Sequence, residues 1–291
     1  MLPMYSSLSH LFVLNTSTTR LLRHGCLFLT VTLALAAFLS TAWAQVSPPP
    51  DGGYPGANTA EGDAALSSLT TGEDNTALGF KALAANTTGG QNTATGERAL
   101  RGNTTGVSNT ATGLLALTAN SAGSNNTATG VQALFSNTAN NNTATGASAL
   151  ANNTTGSENT ADGLFALYSN TTGADNTATG VEALLSNTEG GGNTAMGRSA
   201  LRSNTTGDFN TANGFQSLFG NTTGTENTAT GFFALANNTT GQLNTATGRS
   251  ALGVNTTGQG NTATGAFALR NSNGNRNTAI GQATLLFNSG D

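Results

Sequence analysis

From Asn58 onward the sequence restarts about every 17 residues. Fourteen copies begin at Asn58, Asn75, Asn92, Asn109, Asn126, Asn142, Asn159, Asn176, Asn193, Asn210, Asn227, Asn244, Asn261 and Asn277; the spacing is 17 apart from two steps of 16, from Asn126 and from Asn261. The unit reads N-T-A-x-G-x-x-A-L-x-x-N-T-T-G-x-x, and repeat positions are counted from its first asparagine. Asparagine, threonine and alanine at the first three positions, glycine at the fifth and leucine at the ninth are the same in every copy. A short period held this long restricts the chain to a stack of equivalent units, each burying its surface against its neighbours.

Those residue types specify what the unit is. The ninth-position leucine (Leu83, Leu100) is the one large apolar residue in every copy, so it lines the interior with the third-position alanine (Ala77, Ala94). Asparagines at the first position (Asn75, Asn92), and at the twelfth in most copies, stack into amide ladders, each bonding the coil above and below. Glycines at the fifth position (Gly79, Gly96), and usually the fifteenth, end short strands where the chain turns through φ > 0. Threonine suits the strands. Each coil is therefore expected to hold two short strands, Thr93-Ala94 and Ala99-Leu100 in a typical copy, with Gly96 and Gly106 at corners. The fold class is all-β, a parallel β-solenoid of fourteen coils over residues 58–291. Helical repeats run to about 33–47 residues, and no long helix fits between glycines this frequent.

The rarest residues lie outside the repeats. His10, His24, Cys26 and Trp43 all fall within residues 1–44, together with Arg20 and Arg23. An apolar run from Cys26 to Leu39 follows the arginines and ends near Ala42-Trp43-Ala44, which reads as a secretory signal cut after Ala44. The stretch approaches bilayer-spanning length, so an uncleaved anchor is the alternative. Residues 45–57, with Pro48, Pro49, Pro50 and Pro55, form a Pro/Gly linker.

Past residue 44 the chain has no His, Cys or Trp, and eight basic residues face fourteen acidic ones, a net charge of −6. No imidazole or thiolate metal set can be assembled there, and no Ser-His or Cys-His nucleophile pair. A sparsely charged acidic chain lacks an electrostatic footprint for nucleic acid. The expectation is a protein that is not an enzyme, with no cofactor, no metal and no small-molecule substrate.

One coil has too little interior to stand alone. Period-two alternation, with the ninth position inward, sends the eighth outward, where alanine (Ala82, Ala99, Ala116) stands in twelve copies. Small outward residues there, with bulky tenth-position ones such as Phe135 and Tyr168, predict close approach of a second chain and a homo-oligomer.

The motif N-T-A-x-G-x-x-A-L, as in Asn75-Thr76-Ala77-Leu78-Gly79 through Ala82-Leu83, resembles the YadA-like head domain of trimeric autotransporter adhesins. The resemblance covers residues 58–291. It implies a left-handed parallel β-roll, a homotrimer, display on a bacterial surface, and binding to extracellular matrix or surface polymers. Three departures are visible: the coil is longer, no stalk or membrane strands are present, and the repeat breaks off at Asp291. Three functions follow as expectations: an adhesin or fibre head, a surface spacer without a specific ligand, and an ice-binding solenoid using the T-A-T rows.

Overall fold

The structure, a computed structural model, describes residues 55–288. The expected leader over residues 1–44, most of the linker and the last three residues lie outside them. The fold is an all-β solenoid. Fourteen strands of three residues, from β1 (Thr59–Glu61) to β14 (Thr278–Ile280), make one parallel sheet in chain order. Each strand is the second to fourth positions of one copy. Their register is in phase, with Ala77 beside both Ala60 and Ala94. The two short steps leave it intact, since Thr127 still pairs with Thr143 and Thr262 with Thr278. The missing residue is absorbed in the turn before the next strand.

Backbone groups bond to the coils on either side. Thr93 N–H donates to Asn109 O of the next coil at 2.8 Å, and Gly96 N–H to Leu78 O of the preceding one at 2.8 Å. This pairing answers the requirement that buried amide groups find partners, which one coil alone cannot meet.

The expected second strand does not form. Glu97 to Gly102 is turn, and within it Arg98 and Leu100 adopt left-handed φ of 56° and 50°. The same pair of left-handed residues, at the seventh and ninth positions, recurs in every coil, for example Gln132 (58°) with Leu134 (52°). Two reversals within three residues swing the eighth and ninth side chains inward together. Period-two alternation belongs to extended backbone and fails here. Ala82, Ala99, Ala116, Ala133, Ala166 and Ala183 are therefore fully buried in their own coils. The eighth position is not an outward contact, which overturns the reason given for close approach of a second chain. Its two non-alanine residues satisfy their hydroxyls locally: Ser217 Oγ donates to Gly214 O (3.0 Å) and Thr284 Oγ1 to Gly281 O (2.8 Å).

A left-handed conformation costs a leucine about 1–2 kcal/mol. Complete burial returns about 1.5–3 kcal/mol, and the ninth-position leucines from Leu83 to Leu269 are wholly buried. Burial is what holds them in place. Leu285, in the fourteenth coil, is 49% exposed, with no further coil packed on it among the described residues.

The two glycine positions are small for different reasons. Gly96 has φ +130°, and a Cβ there would sit 2.7 Å from Gly113 O. The fifteenth-position glycine is not left-handed. A Cβ on Gly190 would instead lie 2.5 Å from Gly207 O and 2.7 Å from Asn187 Oδ1. The left-handed residue of that corner is the seventeenth, as in Gln91 (59°) and Glu158 (60°).

Candidate functional site

The invariant residues build the interior. Asn92 Nδ2 donates to Asn75 Oδ1 (3.1 Å) and to Gly106 O (2.9 Å), while its backbone N–H also donates to Asn75 Oδ1 at 3.1 Å. In the twelfth-position ladder Asn103 Nδ2 donates to Asn86 Oδ1 (2.8 Å) and to Gly106 O (3.0 Å). One glycine carbonyl thus ties both asparagines of its coil. Asn75, Ala77, Leu83, Asn92, Ala94 and Leu100 are fully buried, and Gly79 and Gly96 form half-buried corners. These eight residues are scaffold, and the six buried ones are sealed from any ligand.

The threonines divide into two sets. In the thirteenth-position row the hydroxyl is spent on the stack: Thr87 Oγ1 donates to Thr104 O at 3.0 Å, and Thr171 Oγ1 to Thr188 O at 3.0 Å. That same carbonyl of Thr104 also accepts the N–H groups of Thr87, Thr88 and Gly89 at 3.0, 3.2 and 3.3 Å. The strand threonines differ. In the third strand (Thr93–Thr95) and the fourth (Thr110–Thr112) the outer two residues are exposed and the alanine between them is buried. The pattern repeats along the sheet, and among the described residues no strand threonine uses its hydroxyl in a bond within the chain.

Charge and aromatic rings are sorted around the coil. Lys81, Arg98, Arg101, Arg198, Arg202, Arg249 and Arg270 all stand at the sixth, seventh or tenth position, leaving only Arg276 elsewhere among the described basic residues. Phenylalanines gather on the same side, and cation–ring contacts join them: Arg249 lies 5.8 Å from the Phe232 centroid and 5.4 Å from that of Phe267. Most acids stand at the fourth, fourteenth, sixteenth or seventeenth positions, among them Glu73, Asp74, Glu158, Asp175 and Glu226. The molecule therefore carries a basic, aromatic side and an acidic one.

The basic side contains a groove of about 390 Å³ over the tenth to thirteenth coils. Gln216, Phe233 and Ser250 line it from the seventh position, and Asn237 and Val254 from the eleventh. Phe219, Ala236, Gly253 and Arg270 occupy the tenth position in these four successive coils. Sequence reasoning missed it. The signal was two small residues, Ala236 and Gly253, between two large ones, and it has meaning only once the seventh, tenth and eleventh positions are known to share a side.

Among the described residues no group of three or more His, Cys, Asp or Glu side chains is placed to hold a metal ion. No family model, curated protein or solved structure matches the chain.

Proposed function

We propose that the chain is the exported, surface-displayed head of an adhesin or fibre, without catalytic activity, and that it binds an extended polymer such as a matrix protein or surface glycan. The observation that carries this reading is the strand face. It repeats exposed threonine hydroxyls, none spent on the fold, from one rung to the next. Contacts that are individually weak gain avidity when one rigid array repeats them. The repeat resembling YadA-like heads supports the same reading.

The reading includes a homo-oligomer, with a trimer as the form the resemblance implies. Its contact moves from the eighth position to the sixth. There Leu114, Val131, Ala147, Leu164 and Val181 follow one another on five successive coils, and the four larger ones are 39–47% exposed. An apolar stripe left in water along a stack marks an association surface.

The test compares the full repeat array with a chain lacking seven internal coils on films of collagen, fibronectin and bacterial polysaccharide. Steep loss of retention on shortening is expected, with no strand-face threonine indispensable by itself. Equal retention by both lengths, or loss of all binding on a single threonine substitution, overturns the proposal. Absence of binding to every film favours the spacer.

One further observation favours a second reading. The threonine pairs flanking each buried alanine form rows about 6.7 Å apart on rungs about 4.8 Å apart, a lattice of the kind an ice-binding face requires. Asp162, Met196, Asn213, Leu78 and Ile280 interrupt the fourth-position row, so the adhesive reading stands first.

A further inference from the structure

We propose that the groove over the tenth to thirteenth coils binds one carboxylate-bearing sugar ring of an acidic glycan, as a discrete site distinct from the repeated strand face. The proposal deepens the adhesive reading and takes from it only the source of the sugar. The groove's chemistry stands by itself.

The groove exists because two side chains are missing from one row. Phe219 and Arg270 stand three rungs apart at the tenth position, about 14 Å at a rung of about 4.8 Å. Between them Ala236 and Gly253 are buried and form a floor. The volume, about 390 Å³, lies within the range of about 300–1,000 Å³ typical of small-ligand sites.

Its two ends differ chemically. Phe219 supplies an aromatic wall at one end, with half-buried Phe233 alongside. Such apolar faces suit the C–H face of a pyranose, as aromatic side chains pair apolar area with defined geometry. At the other end Arg270 is exposed, its guanidinium 5.6 Å from the Phe267 centroid. The ion pairs among the described residues are Arg98–Glu97 and Arg202–Glu182, so Arg270 pairs with no carboxylate among them. A planar guanidinium fork matches a carboxylate in bidentate fashion.

The sides supply hydroxyl-recognising groups. Neither the Gln216 amide nor the Ser250 hydroxyl is engaged in a hydrogen bond within the chain among the described residues. Asn237 commits its N–H to Gly253 O at 2.7 Å and keeps its carbonyl oxygen as an acceptor. An aromatic wall, uncommitted amide and hydroxyl groups and one guanidinium without an ion-pair partner among the described residues together select a ring with several hydroxyls and one negative charge. A nucleic-acid strand is disfavoured, because its many phosphates would meet a chain with a net charge of −6 past residue 44.

Galacturonate trisaccharide and sialyllactose, the two sources of such a ring, are titrated calorimetrically into the full mature chain beside their carboxyl-reduced forms. At least one acidic sugar is expected to bind, and the two arms identify which source the groove accepts. Carboxyl reduction and Arg270→Gln should each weaken binding at least tenfold, and combining them should add little. Ala236→Leu should fill the groove and abolish binding while circular dichroism and melting temperature stay unchanged. Phe219→Ala gives an independent loss should the leucine disturb folding.

No binding of either acidic sugar at millimolar concentration, or binding indifferent to Arg270→Gln, overturns the proposal. So does a single-stranded oligonucleotide that competes for the groove. Retention of the full chain on polymer films is measured separately. The repeated-contact reading can then fail while the groove binds, or hold while the groove does not.

Discussion

Asn255 and Ser272 stand at the same place on successive coils, and the twelfth-position amide ladder stops between them. Asn255 Nδ2 still donates back to Asn238 Oδ1 at 2.9 Å, but its own Oδ1 is buried without a partner, because Ser272 brings no amide. Asn120 Oδ1 is also buried without a partner, at the other short step; its counterpart Asn137 does carry an amide, which keeps only the local bond to Ala139 O at 2.9 Å. Both 16-residue coils therefore cost the ladder one bond. At the second of them the surface is repaired. Asn273 Oδ1 accepts from the N–H groups of Thr256, Thr257 and Gly258 at 2.8, 3.0 and 3.3 Å, replacing the backbone carbonyl of the thirteenth-position threonine.

An orphaned buried acceptor costs about 1–3 kcal/mol. Ser272→Asn restores a donor facing Asn255 Oδ1 and is expected to stabilise the stack by about 1 kcal/mol, an ordinary hydrogen-bond contribution. Chemical denaturation reads the shift of midpoint. An unchanged or lower midpoint would mean that the shortened coil cannot seat the amide.

The left-handed residues predict a second gain. Glu158 (φ 60°) at the seventeenth position and Gln132 (φ 58°) at the seventh are not glycine, whereas Gly192 (φ 66°) and Gly260 (φ 69°) already use glycine at the former. Replacing Glu158 or Gln132 by glycine removes a left-handed penalty of about 1–2 kcal/mol and adds backbone entropy to the unfolded chain. A net gain of roughly 0.5–1 kcal/mol is expected from each, read by thermal melting. The opposite change, Gly113→Ala, sets a methyl 2.6 Å from Gly130 O at φ +130° and should lower the melting temperature sharply.

Association through the sixth-position stripe is tested by Val131→Lys combined with Leu164→Lys. Both side chains are exposed in the single chain, at 47% and 42%, so the coil itself should keep its dichroism spectrum. Native mass measurement should show an oligomer for the unaltered chain and a monomer for the variant. A stable monomer of the unaltered chain at micromolar concentration removes the idea.

The ice-binding reading predicts a freezing-point gap in solutions of the mature chain. Negligible thermal hysteresis is expected, since the fourth-position threonine row is broken by charged and bulky residues. A clear gap, lost on Thr112→Lys with Thr129→Lys, would make ice the ligand instead.

The period, the all-β stacking and the buried roles of Asn75, Ala77 and Leu83 were legible in the sequence. A stack places each residue on its own equivalent, so whatever must be buried or bonded between coils has to recur at one position. Recurrence is a property of the string. The sign of φ at Arg98 and Leu100 is not, because no residue other than glycine or asparagine advertises a left-handed backbone. The hydrogen bonds between coils, and for Leu100 its burial, impose it there. The inward turn of Ala99 and the absence of a second strand follow from those dihedrals. The groove between Phe219 and Arg270 depends on them too, since they decide which non-recurring residues share a side. Tertiary structure alone decided these, because it sets the direction of side chains that the repeat pattern only counts.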